Sequence, residues 1–571
     1  MRSPMSYWRS EEADNISCSD DGDPTANTEK FELLGPPKSK LNHCSRRRVI
    51  LIITAMLFLL LLFVLFSFFG NARASTGKKN VILMISDGMG PASLTLARSY
   101  QQYIKKLPIG HDLLIDPFLV GSSRTRSSDS LVTDSAAGAT AFSCAMKSYN
   151  GAIAIDPEKL ACGTLLEAAK KLGYMTGLVV TSRITHATPA SFNSHVVHRD
   201  LEDDIAYQQV GGLPLQRTTD LMFGGGLCHF LPQNSNGSCR LDDIDVIAKA
   251  KENEFSLITS LSEFEALKDG LEVKFPLLGL FASDHMSFEI DRNVTEQPSL
   301  LDMSSTALNA LLKATEDSEQ GLFLMIEGSR IDMASHNNDP VSHVRDVLMY
   351  DQVFSLAQNF INKNGGVLLS TSDHETGGLS VARQVTETYP EYLWHPEGGQ
   401  ISNSLLNNVV LANATFSTEL LGLQILSFPN DQDIQSFIAN NIIKKSLGIL
   451  DATEDEINAV VKVRNNSLSS TYLLSDIVSR RAQLGWSTHG HSAVDVNVYA
   501  YSPTEKLPQG NMENTYIGKY IVDYLGLDLP SITKELNKEG NSFFQTSFDF
   551  STVRNDHNHD FTNLESYHGI H

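Results

Sequence analysis

Residues 81–90 read VILMISDGMG, a short apolar run followed at once by small and acidic residues. The run is rich in β-branched side chains and carries no polar residue, which is typical of a strand buried on both faces of a parallel sheet. Three further apolar runs lie at residues 176–180, 322–326 and 367–369, and polar residues follow each of them. These four runs predict the central strands of the fold.

Helical patterns separate the predicted strands. They cover residues 163–172, 305–315 and 339–362. Strands that alternate with helices predict an α/β layered fold, with a central, mostly parallel sheet flanked by helices. In open α/β sheets, ligands bind beyond the carboxyl ends of the strands. The polar residues behind each run therefore form the candidate functional site.

Carboxylates and imidazoles are concentrated at these predicted strand ends. The candidate metal ligands are Asp87, His186, Thr188, Glu327, Asp332, His336, Asp373, His374 and, further along the chain, His491. Mixed Asp/His sets suit zinc and oxygen-rich sets suit magnesium, so the residues could hold two zinc ions and one magnesium ion. Taken singly, each Asp could be a helix N-cap and each His a surface or core residue. Their recurrence at four strand ends favours a metal site.

The candidate nucleophile lies in the sequence TDSAAGATA at residues 133–141. Small residues directly after Ser135 would let the start of a helix approach an anion closely. No Gly-x-Ser-x-Gly elbow surrounds Ser135, which disfavours a serine-hydrolase triad, so a metal would have to activate the hydroxyl. The alternative is that Ser135 only caps a helix.

Charge and cysteine content limit the class of protein. The 571 residues include 45 Lys+Arg and 67 Asp+Glu, a formal net charge of −22, which disfavours a nucleic-acid partner. Six cysteines are too few for a disulfide-dense scaffold. We expect the sequence-near pairs Cys144–Cys162 and Cys228–Cys239, although spacing alone leaves the connectivity open.

Six motifs resemble those of the alkaline phosphatases and occur in the same order. They are VILMISDGMG, DSAAGATAF, THATPASF followed by HVVHR, IEGSRID, TSDHETGG and THGHSAVDV. The resemblance covers roughly residues 78–530 and is closest to the fungal vacuolar, membrane-anchored members. It implies the alkaline-phosphatase fold and a homodimer. From about residue 380 to 480 the strand-like runs give way to polar, Asn/Ser-rich stretches, which predicts an inserted cap region that serves as a lid or as a dimer surface. The implied activity is metal-dependent, non-specific hydrolysis of phosphate monoesters through a phosphoserine.

The resemblance also implies a role for each matching residue. Ser135 would be the phosphorylated nucleophile, and Arg199, positioned by Asp134, would bind the phosphate. The implied metal ligands are Asp332, His336 and His491 for the first zinc, Asp373 and His374 for the second zinc, Asp87 between the second zinc and the magnesium, and Glu327, Thr188 and His186 for the magnesium.

Two positions depart from the family pattern. Position 186 is His, as in animal enzymes, where bacterial and fungal vacuolar members typically carry Asp, and a neutral nitrogen is a poorer magnesium ligand. Position 333 is Met, where relatives carry a Lys or His that contacts phosphate through water, so we expect weaker phosphate retention without loss of the chemistry. His489 is an alternative to His491 as a ligand, and the family pattern favours His491.

Residues 49–69 form an uncharged apolar segment long enough to span a bilayer of about 30 Å. A cleaved signal peptide is the alternative, since residues 72–74 read ARA, but 48 residues precede the segment. We predict a cytosolic N-terminal tail at 1–48, a type II single-pass anchor, and a lumenal domain at 76–540. Glycosylation sequons support the lumenal placement at Asn236, Asn293, Asn413 and Asn465.

Both ends of the chain carry possible signals. Glu29 with Leu33 and Leu34 resembles an acidic dileucine motif, which predicts binding to an adaptor complex and delivery to the vacuole membrane. Residues 541–571 form a polar tail with histidines that could bind metal, although a disordered or trimmed tail is the simpler interpretation.

Other functions fit the sequence less well. A sulfatase would need a C/S-x-P-x-R pattern, which is absent around Ser135, and diesterases on the same scaffold tend to use Thr and lack the arginine that binds phosphate. A catalytically inactive membrane receptor with this fold would not need a complete ligand set.

Overall fold

A ten-stranded sheet forms the centre of the structure, a computed structural model that describes residues 78–108, 110–212, 214–383 and 404–538. Its strands are β1 Val81–Ile85, β2 Leu119–Arg124, β3 Met175–Arg183, β4 Leu221–Gly225, β5 Ser256–Ile258, β6 Leu277–Leu280, β7 Leu322–Glu327, β8 Val367–Thr371, β11 Val496–Tyr501 and β12 Gly510–Glu513. A second, two-stranded sheet pairs β9 Glu375–Thr376 with β10 His491–Ser492.

The large sheet has the order β12-β2-β11-β8-β1-β7-β3-β4-β6-β5. Only β11 runs antiparallel to its two neighbours, so the predicted mostly parallel sheet is confirmed. The four runs identified in the sequence are the adjacent strands β8, β1, β7 and β3 at its centre. All residues of β1 are buried, and alternate side chains enter the two apolar clusters on opposite faces of the sheet.

Helices cover both faces of this sheet. They are α1 Pro91–Lys105, α2 Ser135–Ser143, α3 Leu165–Lys171, α4 Ala187–Asn193, α5 Glu202–Tyr207, α6 Val246–Glu252, α7 Leu261–Glu265, α8 Leu300–Ala314, α9 Arg330–His336, α10 Pro340–Asn364, α11 Ser404–Asn413, α12 Thr418–Ser427, α13 Ile434–Phe437, α14 Glu454–Val463, α15 Ser467–Arg481, α16 Thr515–Leu525 and α17 Leu529–Leu536.

The long helix α10 shows why the predicted helix boundaries are nearly correct. Its N-cap Asp339 accepts hydrogen bonds from the backbone N–H groups of Val341 and Ser342, and Pro340 occupies the first helical position. It ends at Gly365, whose φ of 76° is readily adopted by glycine. The helix predicted at 305–315 begins earlier, at Leu300, because Ser299 and Asp302 form a capping box there.

The regular elements described between β9 and β10 are helices, joined by loops and by one isolated bridge between Ser380 and Gly485. Helices α11 to α15 and a π-helical turn at Ile438–Ser446 make up this region. Leu411, Leu421 and Leu474 from these helices are buried in the same apolar cluster as Tyr350 and Phe354 of α10. The described part of the region predicted at about 380–480 therefore extends the core of the main fold.

Two disulfides are present, Cys144–Cys162 and Cys228–Cys239, with Cα atoms 5.9 Å and 4.9 Å apart. Both pairs predicted from sequence proximity are confirmed. Such bonds form in oxidising compartments.

Several predictions concern residues outside the described ranges. They are the tail at 1–48 with Glu29, Leu33 and Leu34, the apolar segment at 49–69, and the tail at 541–571. In the part of the chain that the structure describes, every helix is too short or too polar to cross a membrane.

Candidate active site

The four central strands bring their carboxyl ends to one edge of the sheet. Ile85 lies opposite Glu327 on one side and Thr371 on the other. Asp87 follows β1 by two residues, Glu327 is the last residue of β7, and Asp373 follows β8 by two residues. The register of the strands thus brings together carboxylates from three separate parts of the sequence.

Ser135 lies at the start of α2 and faces this group of acids. Its Oγ is 3.2 Å from Nε2 of His374, and the residue is 1% exposed. The helix is capped by Asp134, whose Oδ1 accepts a hydrogen bond from the backbone N–H of Ala137. The alternative that Ser135 serves as the N-cap is therefore wrong, because that position belongs to its neighbour, and the hydroxyl is directed into the site.

The small residues after Ser135 allow a close packing that a larger side chain would prevent. A Cβ atom added to Gly138 would lie 2.9 Å from Cβ of Asp373. The helix therefore rests almost directly on the loop that carries Asp373 and His374. This contact explains how the Ser135 hydroxyl comes to lie close to Asp373 and His374, which follow β8.

Three histidines are oriented in the same way around Asp332. Nδ1 of His491 donates a hydrogen bond to the carbonyl oxygen of Thr133 at 2.8 Å, and Nδ1 of His336 donates to the carbonyl oxygen of His489. Nδ1 of His374 lies 3.2 Å from Oγ1 of Thr376, which itself donates to Asp332. With Nδ1 engaged in this way, each ring directs Nε2 towards the centre, as metal-binding histidines do.

Burial keeps two of these rings neutral. It lowers the pKa of His374 well below its ordinary value, and the nearby His491 adds to this effect. Burial also lowers the pKa of His491 to about 4, although the carboxylate of Asp332 opposes the change. Both Nε2 atoms are thus unprotonated at pH 7 and able to donate an electron pair to a metal.

His489, the alternative ligand, has a different place. Its Nδ1 donates to the carbonyl oxygen of His336 at 2.8 Å, while its own carbonyl accepts from the His336 ring. Its ring stacks on Tyr472 with centroids 3.8 Å apart. His489 therefore positions His336, and Nε2 of His491 lies 3.2 Å from Nε2 of His336 in the centre of the site.

The ligand atoms form three overlapping groups, each with its potential ligand atoms within 4.8 Å of one another. The groups are Asp332, His374 and His491; Asp87, Asp373 and His374; and Asp87, His186 and Glu327. Asp87 belongs to two groups, in the bridging position that the resemblance implies. Thr188, also implied in the magnesium site, is fully buried on α4.

The acids of these groups are buried without enough hydrogen-bond donors. Both carboxylate oxygens of Asp87, Oδ2 of Asp373, Oε1 of Glu327 and Oγ1 of Thr188 lack a hydrogen-bond partner among the described residues. Unsatisfied buried oxygens are costly and usually mark an ion, a water or a functional site. This donor set, together with the three inward-facing Nε2 atoms, fits divalent cations.

The pKa values of the acids point in the same direction. Burial, strengthened by the charge of Asp373, raises the pKa of Asp87 well above its ordinary value. Burial raises the pKa of Glu327 to about 8, and burial together with the charge of Asp332 raises that of Asp373 to about 7. Burial also acts on Asp332, but His336 beside it holds its pKa well below the usual range. Positive charge is thus deficient around Asp87, Glu327 and Asp373.

Arg199 supplies one permanent cation at the entrance. Its Nη1 donates to Oδ2 of Asp134 at 3.2 Å, the contact by which the resemblance expects Asp134 to position it. Its Nη2 donates to Nε2 of His186 at 3.0 Å. Oδ2 of Asp134 also accepts from the backbone N–H of Gly151 at 3.0 Å, so the carboxylate is fixed from two sides.

The entrance is a cleft of about 360 Å³ that contains residues not predicted from the sequence. Among the residues that line it are Arg183, Arg199, Glu202, His285, Arg330, Met333 and Glu419. The sequence places Arg330 inside the IEGSRID motif, which is a signal that could have been used. His285 and Glu419 lie in segments without a recognisable motif.

Comparisons with known proteins agree with this geometry. The chain matches the alkaline phosphatase family model over residues 78–527. It is 47% identical to a repressible alkaline phosphatase of Saccharomyces cerevisiae, over 87% of this chain and 90% of that protein.

Solved structures of the same family are also similar. A cold-active alkaline phosphatase from a psychrophilic Shewanella has 28% identity and a TM-score of 0.64, over 78% of this chain and 99% of that one. A variant of the alkaline phosphatase from the Antarctic bacterium TAB5, described with Mg bound in its M3 site, has 27% identity and a TM-score of 0.53, over 79% and 99% of the two chains. The fold predicted from the sequence and the chemistry grouped around Ser135 thus have one common explanation: this chain belongs to the alkaline phosphatase family and is an enzyme that hydrolyses phosphate monoesters.

Proposed function

We propose that this chain hydrolyses phosphate monoesters in two steps through a phosphorylated Ser135. The observation that carries the proposal is the buried hydroxyl of Ser135 beside carboxylate oxygens that lack hydrogen-bond partners and three inward-facing Nε2 atoms. In the first step, Oγ of Ser135 forms a bond to phosphorus and the alcohol leaves. In the second step, water replaces Oγ and releases inorganic phosphate.

The residues of the chain would position the phosphate for both steps. The guanidinium of Arg199, held by Asp134, offers two parallel N–H groups to two phosphate oxygens. The hydroxyl of Ser135 is fixed at the first turn of α2, with Oγ 3.2 Å from Nε2 of His374. Because few groups contact the alcohol, many different monoesters can react.

The metal content is part of the proposal. Asp332, His336 and His491 would hold one zinc ion, Asp373 and His374 a second, and Asp87, Glu327, Thr188 and His186 a magnesium ion. Bound cations would supply positive charge that lowers the pKa of the serine hydroxyl and stabilises the leaving oxygen. The deficit of positive charge around the buried acids supports this assignment.

The proposal is tested by trapping the intermediate. The purified protein is mixed with a ³²P-labelled monoester, quenched in acid and digested, and the labelled peptide is sequenced, alongside elemental analysis of the protein. We expect label on Ser135 and about two zinc ions per chain. Turnover without label on any residue, or label elsewhere, would contradict the two-step route.

His186 offers a test of the third metal position. Replacing it with Asp exchanges a neutral nitrogen for a carboxylate beside Asp87 and Glu327, and hard oxygen ligands suit Mg²⁺ better. We expect His186→Asp to bind Mg²⁺ about tenfold more tightly in a calorimetric titration, with unchanged zinc content. Equal Mg²⁺ affinity in the two proteins would argue against a magnesium ligand at this position.

Met333 offers a test of phosphate retention. It is half-buried and lines the cleft, so Met333→Lys would add a cation near the bound phosphate. We expect the inhibition constant of inorganic phosphate to fall about threefold to tenfold, with Met333→Leu unchanged as the control. The measurement is product inhibition by inorganic phosphate at constant ionic strength. If Met333→Lys has the same inhibition constant as the wild type, Met333 does not explain weak phosphate retention.

We further propose the cellular setting that the sequence predicts. Residues 49–69 would anchor the chain in the vacuole membrane as a type II protein, with 1–48 in the cytosol and the lumenal domain at 76–540. The dileucine-like Glu29, Leu33 and Leu34 would recruit an adaptor complex, residues 380–480 would form a cap, and the enzyme would act as a homodimer. Alanine substitution of Leu33 and Leu34 is expected to misroute a fluorescently tagged chain.

A further inference from the structure

The cleft at the entrance of the active site contains three arginines. They differ in how many of their N–H groups are already bound to a carboxylate. Arg183 is fully engaged: its Nε and Nη2 bind Glu202, and its Nη1 binds Asp284 at 2.7 Å. Arg199 is held by Asp134 and belongs to the phosphate site described above. Arg330 remains, at the start of α9 and on the same cleft.

The guanidinium of Arg330 is rigidly placed but poorly satisfied. Its plane lies over the ring of Phe288, with 3.6 Å between Cζ and the ring centroid, and the residue is 6% exposed. Nη2 donates to Oε1 of Glu419 at 3.0 Å, whereas Nη1 has only the thioether sulfur of Met333 at 2.9 Å, a weak acceptor. Nε is buried and has no hydrogen-bond partner among the described residues.

The counter-charge of Arg330 is also weak. The side chain of Glu419 is 39% exposed, so solvent screens the ion pair. Its other oxygen, Oε2, accepts a hydrogen bond from Nδ2 of Asn337 at 2.9 Å. A guanidinium that served only to hold α9 against α12 would be expected to have its donors satisfied. This one keeps donors that carboxylate or phosphate oxygens could use.

We propose that Arg330 is a specificity-determining residue that binds a second anionic group on the alcohol side of the substrate. This rests on the proposed function, and it narrows the preferred substrates to phosphate monoesters that carry a further carboxylate or phosphate. Arg330 and Arg199 line the same cleft of about 360 Å³, which has room for both ends of such a molecule. Planar bidentate recognition of oxyanions is the interaction that arginine makes best.

The experiment compares two esters that differ in one charge, phenyl phosphate and 4-carboxyphenyl phosphate. We expect the wild-type enzyme to favour the carboxylated ester in kcat/KM, and Arg330→Gln to reduce that preference about tenfold while leaving phenyl phosphate within twofold. Glu419→Gln removes the competing carboxylate, so it should increase the preference. Added NaCl should weaken the preference of the wild type.

A binding measurement separates recognition from catalysis. Calorimetric titration with benzylphosphonate and 4-carboxybenzylphosphonate should show tighter binding of the carboxylated compound to wild type but not to Arg330→Gln. An equal loss for both ligands or both esters, or a preference that Arg330→Gln leaves intact, would overturn the proposal. Failure of the wild type to hydrolyse phenyl phosphate would instead count against the proposed function, and the phosphonate comparison would still decide the role of Arg330.

Discussion

Ser135→Ala is expected to lower kcat/KM for phosphate monoesters by about 10³-fold or more, because it removes the atom that accepts the phosphoryl group in the proposed mechanism. The ligand residues are untouched by this change, so zinc content should remain at the wild-type level. Acid-quench labelling should detect no phosphoprotein. Steady-state kinetics with phenyl phosphate and elemental analysis of the same preparation provide the two measurements.

The matched control is Ser143→Ala, at the other end of the same helix. Ser143 is also fully buried, and its hydroxyl contacts only the sulfur of Cys144 at 3.9 Å. A similar small loss of stability is expected in both variants, whereas only Ser135→Ala should lose turnover. Activity of Ser135→Ala close to wild type would remove Ser135 from the mechanism, and loss of zinc together with activity would point to a disrupted site.

The central strands could be predicted because their residues carry the signal of complete burial. In β1, β7 and β8 every side chain is buried, so apolar residues run continuously along the sequence. The strands β4 and β6 are completely buried too, whereas β2 and β12 lack this signal. The strand β2 reads LVGSSR and is mostly half-exposed, and β12 reads GNME with only its Met buried. Their places in the sheet are set by pairing with distant partners, which a local pattern does not encode.

The candidate site could be predicted as a set of residue types, but not as a geometry. Asp87, Asp332 and Asp373 follow strands that the sequence reveals, so their convergence follows from the sheet alone. The groups that orient the histidines are largely backbone carbonyls, those of Thr133 and His489, and a carbonyl leaves no mark in the sequence.

The contacts of each side chain could not be predicted from the sequence either. The hydrogen bond from Arg199 to His186 joins the proposed phosphate-binding residue to a proposed metal ligand across 13 positions of chain. The role proposed for Arg330 becomes evident only when its neighbours Phe288 and Glu419 are known. The sequence of a motif does not indicate which N–H groups of an arginine lack a partner.

Removal of the metal ions is expected to abolish activity and to lower the thermal midpoint substantially. A ligand present at about 1,000 times its Kd stabilises a fold by about 4 kcal/mol, so the three proposed sites would contribute on the order of 12 kcal/mol. For a domain of this size about 1 kcal/mol corresponds to one degree, which predicts a fall of roughly 10 °C. Differential scanning calorimetry before and after chelation measures the shift, and re-addition of Zn²⁺ and Mg²⁺ is the control.

The loss of stability should depend on pH with a definite sign. In the metal-free fold, burial raises the pKa of Glu327 to about 8 and, with the charge of Asp332, that of Asp373 to about 7, whereas the unfolded chain has ordinary values near 4. At pH values between the unfolded and the folded pKa of each group, the folded state binds more protons than the unfolded state. The stability of the metal-free protein therefore falls as pH rises, by up to about 1.4 kcal/mol per pH unit for each group.

Bound cations oppose this loss of stability at higher pH, because they favour the ionised carboxylates that burial disfavours. The difference in midpoint between the metal-loaded and chelated protein should consequently be larger at pH 8 than at pH 6. Glu327→Gln, which cannot ionise, should reduce the pH dependence of the chelated protein. A chelated protein that becomes more stable between pH 6 and pH 8, or one whose midpoint is unaffected by chelation at both values, would show that the buried acids are not neutralised by metal.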